Sequence, residues 1–469
     1  MARAVGFVVG AVAEEYRAVD LGDARLDARL GLLVQRLADD PSKSFPEALV
    51  TVKELEAGYR FFGNEDVEAT AILAPHRERT WERARAAKWV LSLEDTTEMR
   101  FGGSVEREEL GPLLNGGHGF YLHTSLLASL DEGSGRAIPL GVPAYEVLVR
   151  DANKPARTKE EASADPNKEA LRWDRLMDKV DGAAVAAGVS VIHVGDREAG
   201  QYDLLAAECG RGGRFVVRIQ AGFGTKGVKT PGASVSLERT VAVSAKPTGR
   251  GPRKTPGRAQ RIAKLMVTTC EFAIPKPRKG KHPLPLPQLN LVEVQEIDPP
   301  EGEQGVHWRL LTTESVQTVE DIARIVDSYR YRSRWLIEEY FKALKTGCAF
   351  EARQLMSLHA LENALAVLIP MAWHMLLLRN IARDAPATPA AQLVSPTQMR
   401  LLQHLAKPAH NRWGIRLSRT PDATELLYAI ARMGGHLRNN GTPGWITLRR
   451  GMDKLYQLEA AAEVLEVEM

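Results

Sequence analysis

Apolar residues recur at helical spacing over the first 75 positions and then change period. "LGDARLDARLGLLVQRLADD" sets Leu21, Arg25, Ala28, Arg29, Leu32 and Leu33 three and four residues apart, the mark of an amphipathic helix. "ELEAGYRFFGNEDV" and "EATAILAPHRERTWERARAA" extend the helical pattern. Beyond them, "KWVLSLEDTTEMRF", "GFYLHTSLLASL" and "AIPLGVPAYEVLV" predict strands, and "NKEALRWDRLMDKVDGAAVAAG" predicts a helix. A buried strand, Val189 to Val194, then ends at Gly195-Asp196 and turns into another helix, followed by the strand "GRFVVRIQ". Strands interleaved with helices, beginning antiparallel, predict an α/β core rather than a sandwich or a bundle.

Between about 221 and 298 the chain predicts a β-rich insertion punctuated by Gly and Pro. Core strands resume at "LNLVEVQEID" and "HWRLLTTE" and lead into the helical "TVEDIARIVDSYRYRSRWLIEEYFKALKTG". The expected division is a helical segment over 1–75, an α/β segment over 76–381 that contains the insertion, and a helical tail over 382–469. "ARDAPATPAAQLVSP" (Ala382 to Pro396) reads as a linker.

Composition adds little until it is resolved along the chain. The 469 residues are 44% hydrophobic and 26% charged, ordinary for a globular protein. Three cysteines lie far apart with no metal-ligand spacing, which speaks against a disulfide framework or a cysteine zinc site and for a reducing compartment. "MARAVGFVVGAVAEE" imitates a weak signal peptide but is broken by Gly6 and Gly10. "ALAVLIPMAWHMLLL" (Ala364 to Leu378) is shorter than a bilayer span and contains Pro370 and His374, so a buried core helix is expected. No membrane partner and a cytoplasmic location follow. The net charge is only +3, yet Arg211 to Leu284 holds 17 Lys and Arg against Glu238 and Glu271. The rest of the chain is therefore net negative, and such asymmetry marks polyanion contact or a solvated basic loop.

Candidate chemistry rests on three carboxylates and one helical face. Asp95 and Asp196 each end an apolar strand, the first ending on Glu94-Asp95, where a carboxylate at a sheet rim suits Mg²⁺. Either alone also suits a helix N-cap. Tyr331, Arg334, Glu338 and Lys345 follow one another at intervals of three, four and seven residues, which a 3.6-residue turn brings to one stripe. Glu339 points about 100° away, leaving Glu338 in register. A carboxylate between cations and a phenol fits a metal beside phosphate, or a surface helix with Arg–Glu pairing. Arg25, Arg29 and Arg60 offer the N-terminal helices a basic surface for DNA.

"LEDTT" (Leu93–Thr97), "GDREA" (Gly195–Ala199) and the spacing Y-x2-R-x3-E-x6-K (Tyr331–Lys345) together resemble the DDE cut-and-paste transposases of insertion sequence family four. The likeness spans nearly the whole chain, with "LGDARLDARL" and "GYRFFGN" similar to the family's end-binding helices and "IARMGGHLRNNGTPGW" similar to its dimerisation region. It implies a ribonuclease-H-like catalytic core interrupted by the β-rich insertion, an N-terminal DNA-end-binding domain and a C-terminal dimerisation domain. It implies Asp95, Asp196 and Glu338 as catalytic ligands of two Mg²⁺ ions, with Mn²⁺ able to substitute. It gives Tyr331, Arg334 and Lys345 to DNA phosphates, Arg218 to a DNA contact, and Trp308 to a flipped base. The implied activity is nicking, hairpin formation and opening, then strand transfer. The implied partners are transposon-end DNA, target DNA and a second copy of the chain on DNA, in a bacterial, nucleoid-associated setting. A silent DNA-binding relative and a hydrolysing nuclease of the same fold are the alternatives. Between Asp327 and Arg334 the chain is two residues longer than the best-known pattern, giving "YRYR" and a second Tyr–Arg pair, Tyr329 and Arg332. "LADDPSKS" places two acids where end-specific basic residues are expected.

Overall fold

Helix α1 (Ala24–Asp39) starts where Asp23 accepts the Arg25 N–H at 2.8 Å, an N-cap on an otherwise unpaired donor. Short α2 (Phe45–Ala48) and α3 (Val52–Phe62) begin with capping boxes, Ser44 with Glu47 and Thr51 with Glu54. Helix α4 (Ala69–Arg85) completes the N-terminal group. The computed structural model describes residues 12–39, 43–49, 51–102, 107, 109–131, 136–151, 168–224, 226–241, 261–277, 285–301, 305–329, 331–437 and 441–464. Residues 1–11 of the start that imitates a signal peptide, and eight of the 17 cations in the basic region, lie outside the described residues.

The strands are β1 (Val90–Phe101), β2 (Gly111–Pro112), β3 (His118–Asp131), β4 (Arg136–Leu148), β5 (Val191–Gly195), β6 (Phe215–Arg218), β7 (Val228–Val241), β8 (Arg261–Ala273), β9 (Leu289–Glu296) and β10 (His307–Thr312). They form one mixed sheet in the order β2-β3-β1-β5-β6-β10-β9-β8-β7, with β4 on β3. β1, β5 and β6 are parallel neighbours, and the other pairings are antiparallel. The β-rich stretch therefore extends the sheet through β7, β8 and β9. Helices α5 (Arg172–Ala187) and α6 (Tyr202–Gly210) flank β5 in sequence. After β10 come α7 (Val319–Tyr329), α8 (Tyr331–Lys342) with a π-helical turn at Ala343–Gly347, and α9 (Leu358–Asp384).

Helix α9 is longer than the expected 364–378 segment and is long and apolar enough to cross a membrane, but 94% of its apolar window is buried inside the protein. Neighbouring side chains replace the lipid such a helix would otherwise need, and Trp373 donates its Nε1–H to the Pro139 carbonyl at 3.1 Å. The stretch expected to be a linker is packed instead. Ala390, Leu393 and Val394 are buried, and the Ala390 N–H donates to Pro421 O at 2.9 Å. Its small Ala and Pro side chains fit a tight path beside α10 (Pro396–Leu405), α11 (Ala423–Met433) and α12 (Trp445–Val464). One continuous buried cluster runs from Val12 through β1, β3 and α9 to Tyr456.

A buried ion pair ties the N-terminus to this core. Arg83 on α4 holds both oxygens of Glu15, at 2.8 and 3.1 Å, and stacks 4.2 Å from the Trp373 ring. His76 Nδ1 lies 2.5 Å from Glu15 while its Nε2 accepts the Val142 N–H at 3.1 Å, a neutral tautomer with the proton on Nδ1. Burial alone would push the Glu15 carboxyl up. Hydrogen bonds from His76 and Arg83 outweigh it and hold Glu15 at about 2. The native pKa lies below the unfolded one, so this stabilisation is present above pH 4.5 and is lost as pH falls toward 2. Glu15→Gln is expected to cost about 3 kcal/mol at neutral pH, because it leaves Arg83 buried without its charge partner. Urea melts at neutral pH and at pH 3 check this: the wild type approaches the variant at the lower pH.

Candidate active site

The sheet register brings the two aspartates together. β1 and β5 run parallel with Leu93 beside Val194, so two residues further on Asp95 and Asp196 occupy matching positions. Asp95 is not at a strand end, as the sequence suggested. β1 continues to Phe101 on β3, with Asp95 opposite Thr124, and Asp95 marks the point where β5 departs. The β5 exit is tight: a Cβ on Gly195 would stand 2.5 Å from Ala199 Cβ. Asp196 then accepts the Glu198 N–H at 2.8 Å, and Asp95 accepts the Thr96 N–H at 2.8 Å.

Helix α8 closes the site. Arg334 Nη1 is 3.6 Å from Asp95 Oδ2, and its Nη2 is 2.5 Å from Glu338 Oε1, so one guanidinium spans the two carboxylates. Glu339 turns away and pairs with Arg383 on α9 at 3.0 Å. Burial pushes the Asp95 carboxyl up to about 7. Arg334 and the Thr96 N–H oppose that rise, while the Asp196 and Glu338 charges add to it. Glu338 is raised by burial too, against the pull of Arg334. The three acids thus sense one another electrostatically in a partly desolvated pocket.

The remaining expected residues divide. Arg218, at the end of β6, donates to the His307 carbonyl at 3.0 Å. Trp308 on β10 is half-buried, and its ring meets Tyr329 edge-on, centroids 5.7 Å apart. Among the described side chains, Tyr329 is the phenol placed with these groups: burial raises its pKa, Arg334 and a hydrogen bond from Arg218 pull it down, and Asp196 pushes back. The Tyr331 side chain lies outside the described residues. Sequence spacing favoured Tyr331 because it alone keeps the register to Arg334 and Glu338. The doubled "YRYR" was the available signal. Lys345 sits on the π-helical turn and is directed to β1, where Nζ donates to the Glu98 carbonyl and lies 3.8 Å from Glu351. Burial lowers its pKa.

The N-terminal arginines lie on α1 and α3. Arg25 is exposed and paired with Asp23 at 2.8 Å, Arg29 lies one turn further along α1, and Arg60 is exposed in the last turn of α3. Such cations are available to a polyanion at the cost of weak, solvated pairs.

An all-carboxylate set beside a raised Asp95 fits a hard dication. Positive charge brought to the pocket offsets the burial, and the lesser repulsion among the acids, that raise Asp95, and oxygen donors are what Mg²⁺ and Mn²⁺ prefer.

Comparison with known proteins gives two findings. Residues 9–67 match the family model described as "Transposase DNA-binding". A cryo-EM structure of a piggyBac transposase synaptic complex with hairpin DNA is similar at 8% identity, over 77% of this chain and 68% of that one. Its TM-score of 0.32 is too low to carry an argument about this chain's fold or chemistry. The N-terminal segment that holds Arg25, Arg29 and Arg60 is therefore similar to the DNA-binding part of transposases.

Proposed function

We propose that the chain is a metal-dependent DNA transposase with a ribonuclease-H-like core, and that Asp95, Asp196 and Glu338 are its catalytic carboxylates. The observation that carries this reading is that strand register sets Asp196 beside Asp95 while Arg334 joins Asp95 to Glu338, in a chain whose residues 9–67 match a transposase DNA-binding family. The finer reading, from the motifs, is a member of insertion sequence family four resembling the transposon-five transposase. Asp95, Asp196 and Glu338 would hold divalent ions, Mg²⁺ or Mn²⁺, which when bound activate an attacking oxygen and stabilise the leaving one.

The chain's own residues do the rest. Arg334 and Arg218 grip non-bridging phosphate oxygens, and the Tyr329 hydroxyl donates a third contact. Lys345 keeps the α8 end against β1. Trp308 offers a ring face to a base leaving the stack, and base–aromatic stacking contributes about 1–3 kcal/mol. Arg25, Arg29 and Arg60, with the cations of β7 and β8, track the duplex. A homodimer on DNA joins two ends.

The test uses terminal-repeat duplexes joined to flanking DNA, incubated with protein and Mg²⁺. Nicks, then hairpins, then joined products are expected. End binding with no cleavage at any Mg²⁺ concentration would instead identify a silent DNA-holding relative. Tyr329→Phe is expected to slow nicking about tenfold, the loss of one hydrogen bond to a charged group. Tyr331→Phe, assayed beside it, measures whether the second phenol also serves.

A further inference from the structure

Successive residues of a strand face opposite sides of a sheet. Asp95 and Asp196 therefore share one face, and Glu94 and His193 share the other. On that second face His193 stands in a buried polar group: Nδ1 is 2.6 Å from Glu94 Oε1, and Nε2 is 3.0 Å from Asp181 Oδ1 and 3.8 Å from Glu208 Oε1. Asp181 comes from α5 and Glu208 from α6. Glu208 and His193 are fully buried, and Glu208 Oε1 has no hydrogen-bond partner although it is aimed at His193. Asp181 Oδ2 has none either.

We infer that Asp181, His193 and Glu208 bind one divalent transition-metal ion of the zinc class, at a site separate from the DNA-cleaving carboxylates. Three features support it. The ligand atoms of these residues lie within 4.8 Å of one another. With bonds of about 2.1 Å, separations of 3.0 and 3.8 Å subtend roughly 90° and 130° at the ion, either side of a tetrahedral angle. Second, Glu94 accepts the Nδ1–H of His193, which fixes the tautomer and turns the Nε2 lone pair toward the two carboxylates, as outer carboxylates do for ligating histidines.

Third, the acids here outnumber the cations. Arg211 Nη2 holds Glu208 Oε2 at 2.7 Å and its Nε is 3.8 Å from Asp181 Oδ2, but the same guanidinium also pairs with Asp174 at 2.9 Å and lies 3.9 Å from Asp178. A dication beside His193 supplies positive charge that this shared guanidinium cannot give the carboxylates alone. An imidazole with two carboxylates suits Zn²⁺ better than Mg²⁺ or Ca²⁺, which prefer oxygen alone. The ion pins α5 and α6 to β5 three residues before Asp196, so it steadies the strand that presents that acid.

Metal content of gel-filtered protein from zinc-supplemented growth, by plasma mass spectrometry, tests the inference. About one retained zinc per chain is expected. The Asp95→Asn/Glu338→Gln double variant should retain it, which separates this site from the cleavage site whether or not the protein cuts DNA. His193→Gln and Glu208→Gln should hold zinc at least tenfold more weakly. Should those variants fail to fold, chelator-stripped wild type decides: zinc, and not magnesium, should raise its thermal midpoint. Stripped wild type that takes up no zinc, or a folded His193→Gln protein that retains it as the wild type does, would overturn the inference.

Discussion

Glu338→Gln is expected to abolish strand cleavage, by at least 10³-fold, and to leave binding of terminal-repeat DNA within about twofold of wild type. The magnitude is that of losing an electrostatic group on which a charged transition state depends. The glutamine keeps the size of the side chain and still reaches Arg334, which now lies 2.5 Å from Glu338 Oε1. What it removes is an anionic oxygen. Residues 9–67, which carry the match to transposase DNA-binding modules, are untouched. A mobility shift and a denaturing gel on the same samples separate the two effects. Parallel loss of binding and cutting would point to a folding defect rather than a catalytic one.

Arg334→Gln has the second largest expected effect, a 10²- to 10³-fold loss of nicking, with a displaced pH profile. Asp95 sits at about 7, raised by burial and held from rising further chiefly by Arg334. At limiting Mg²⁺ the wild-type rate should climb as pH rises through about 7, because only the ionised Asp95 holds the cation. Without Arg334, Asp95 and Glu338 both lose an opposing positive charge and their pKa values rise. The climbing limb of the variant therefore moves to higher pH. A rate-versus-pH series at fixed, limiting Mg²⁺ measures it. An unshifted limb would show that Arg334 acts on phosphate alone.

How much of this was legible in the sequence varied with the range of the physics involved. Helical periodicity separated Glu338 from Glu339, and Glu339 does turn away to Arg383. Apolar runs located β1 and β5, whose parallel register then places Asp95 beside Asp196. Local pattern gave no sign that β1 continues past Asp95, because polar Thr96, Thr97 and Glu98 are held in the strand by pairing with β3. That Tyr329, rather than a residue at helical spacing from Glu338, stands beside Arg218 and Arg334 was equally hidden. The Ala/Pro stretch read as a linker because small residues look unstructured until a partner surface appears. His193, alone in "VIHVG", reads as a core residue. Its partners Asp181 and Glu208 are contributed by two other elements, which no local spacing reveals.

Asp196 is the acid with the fewest direct contacts to Arg334 and Glu338, so it bears most weight in the claim that three carboxylates form one metal-dependent cutting site. Asp196→Cys replaces its oxygens with a thiolate that Mg²⁺ accepts poorly and Mn²⁺ accepts better. On terminal-repeat duplexes the variant is expected to be silent in Mg²⁺ and to nick again in Mn²⁺. Nicking at the wild-type rate in Mg²⁺ would contradict the triad.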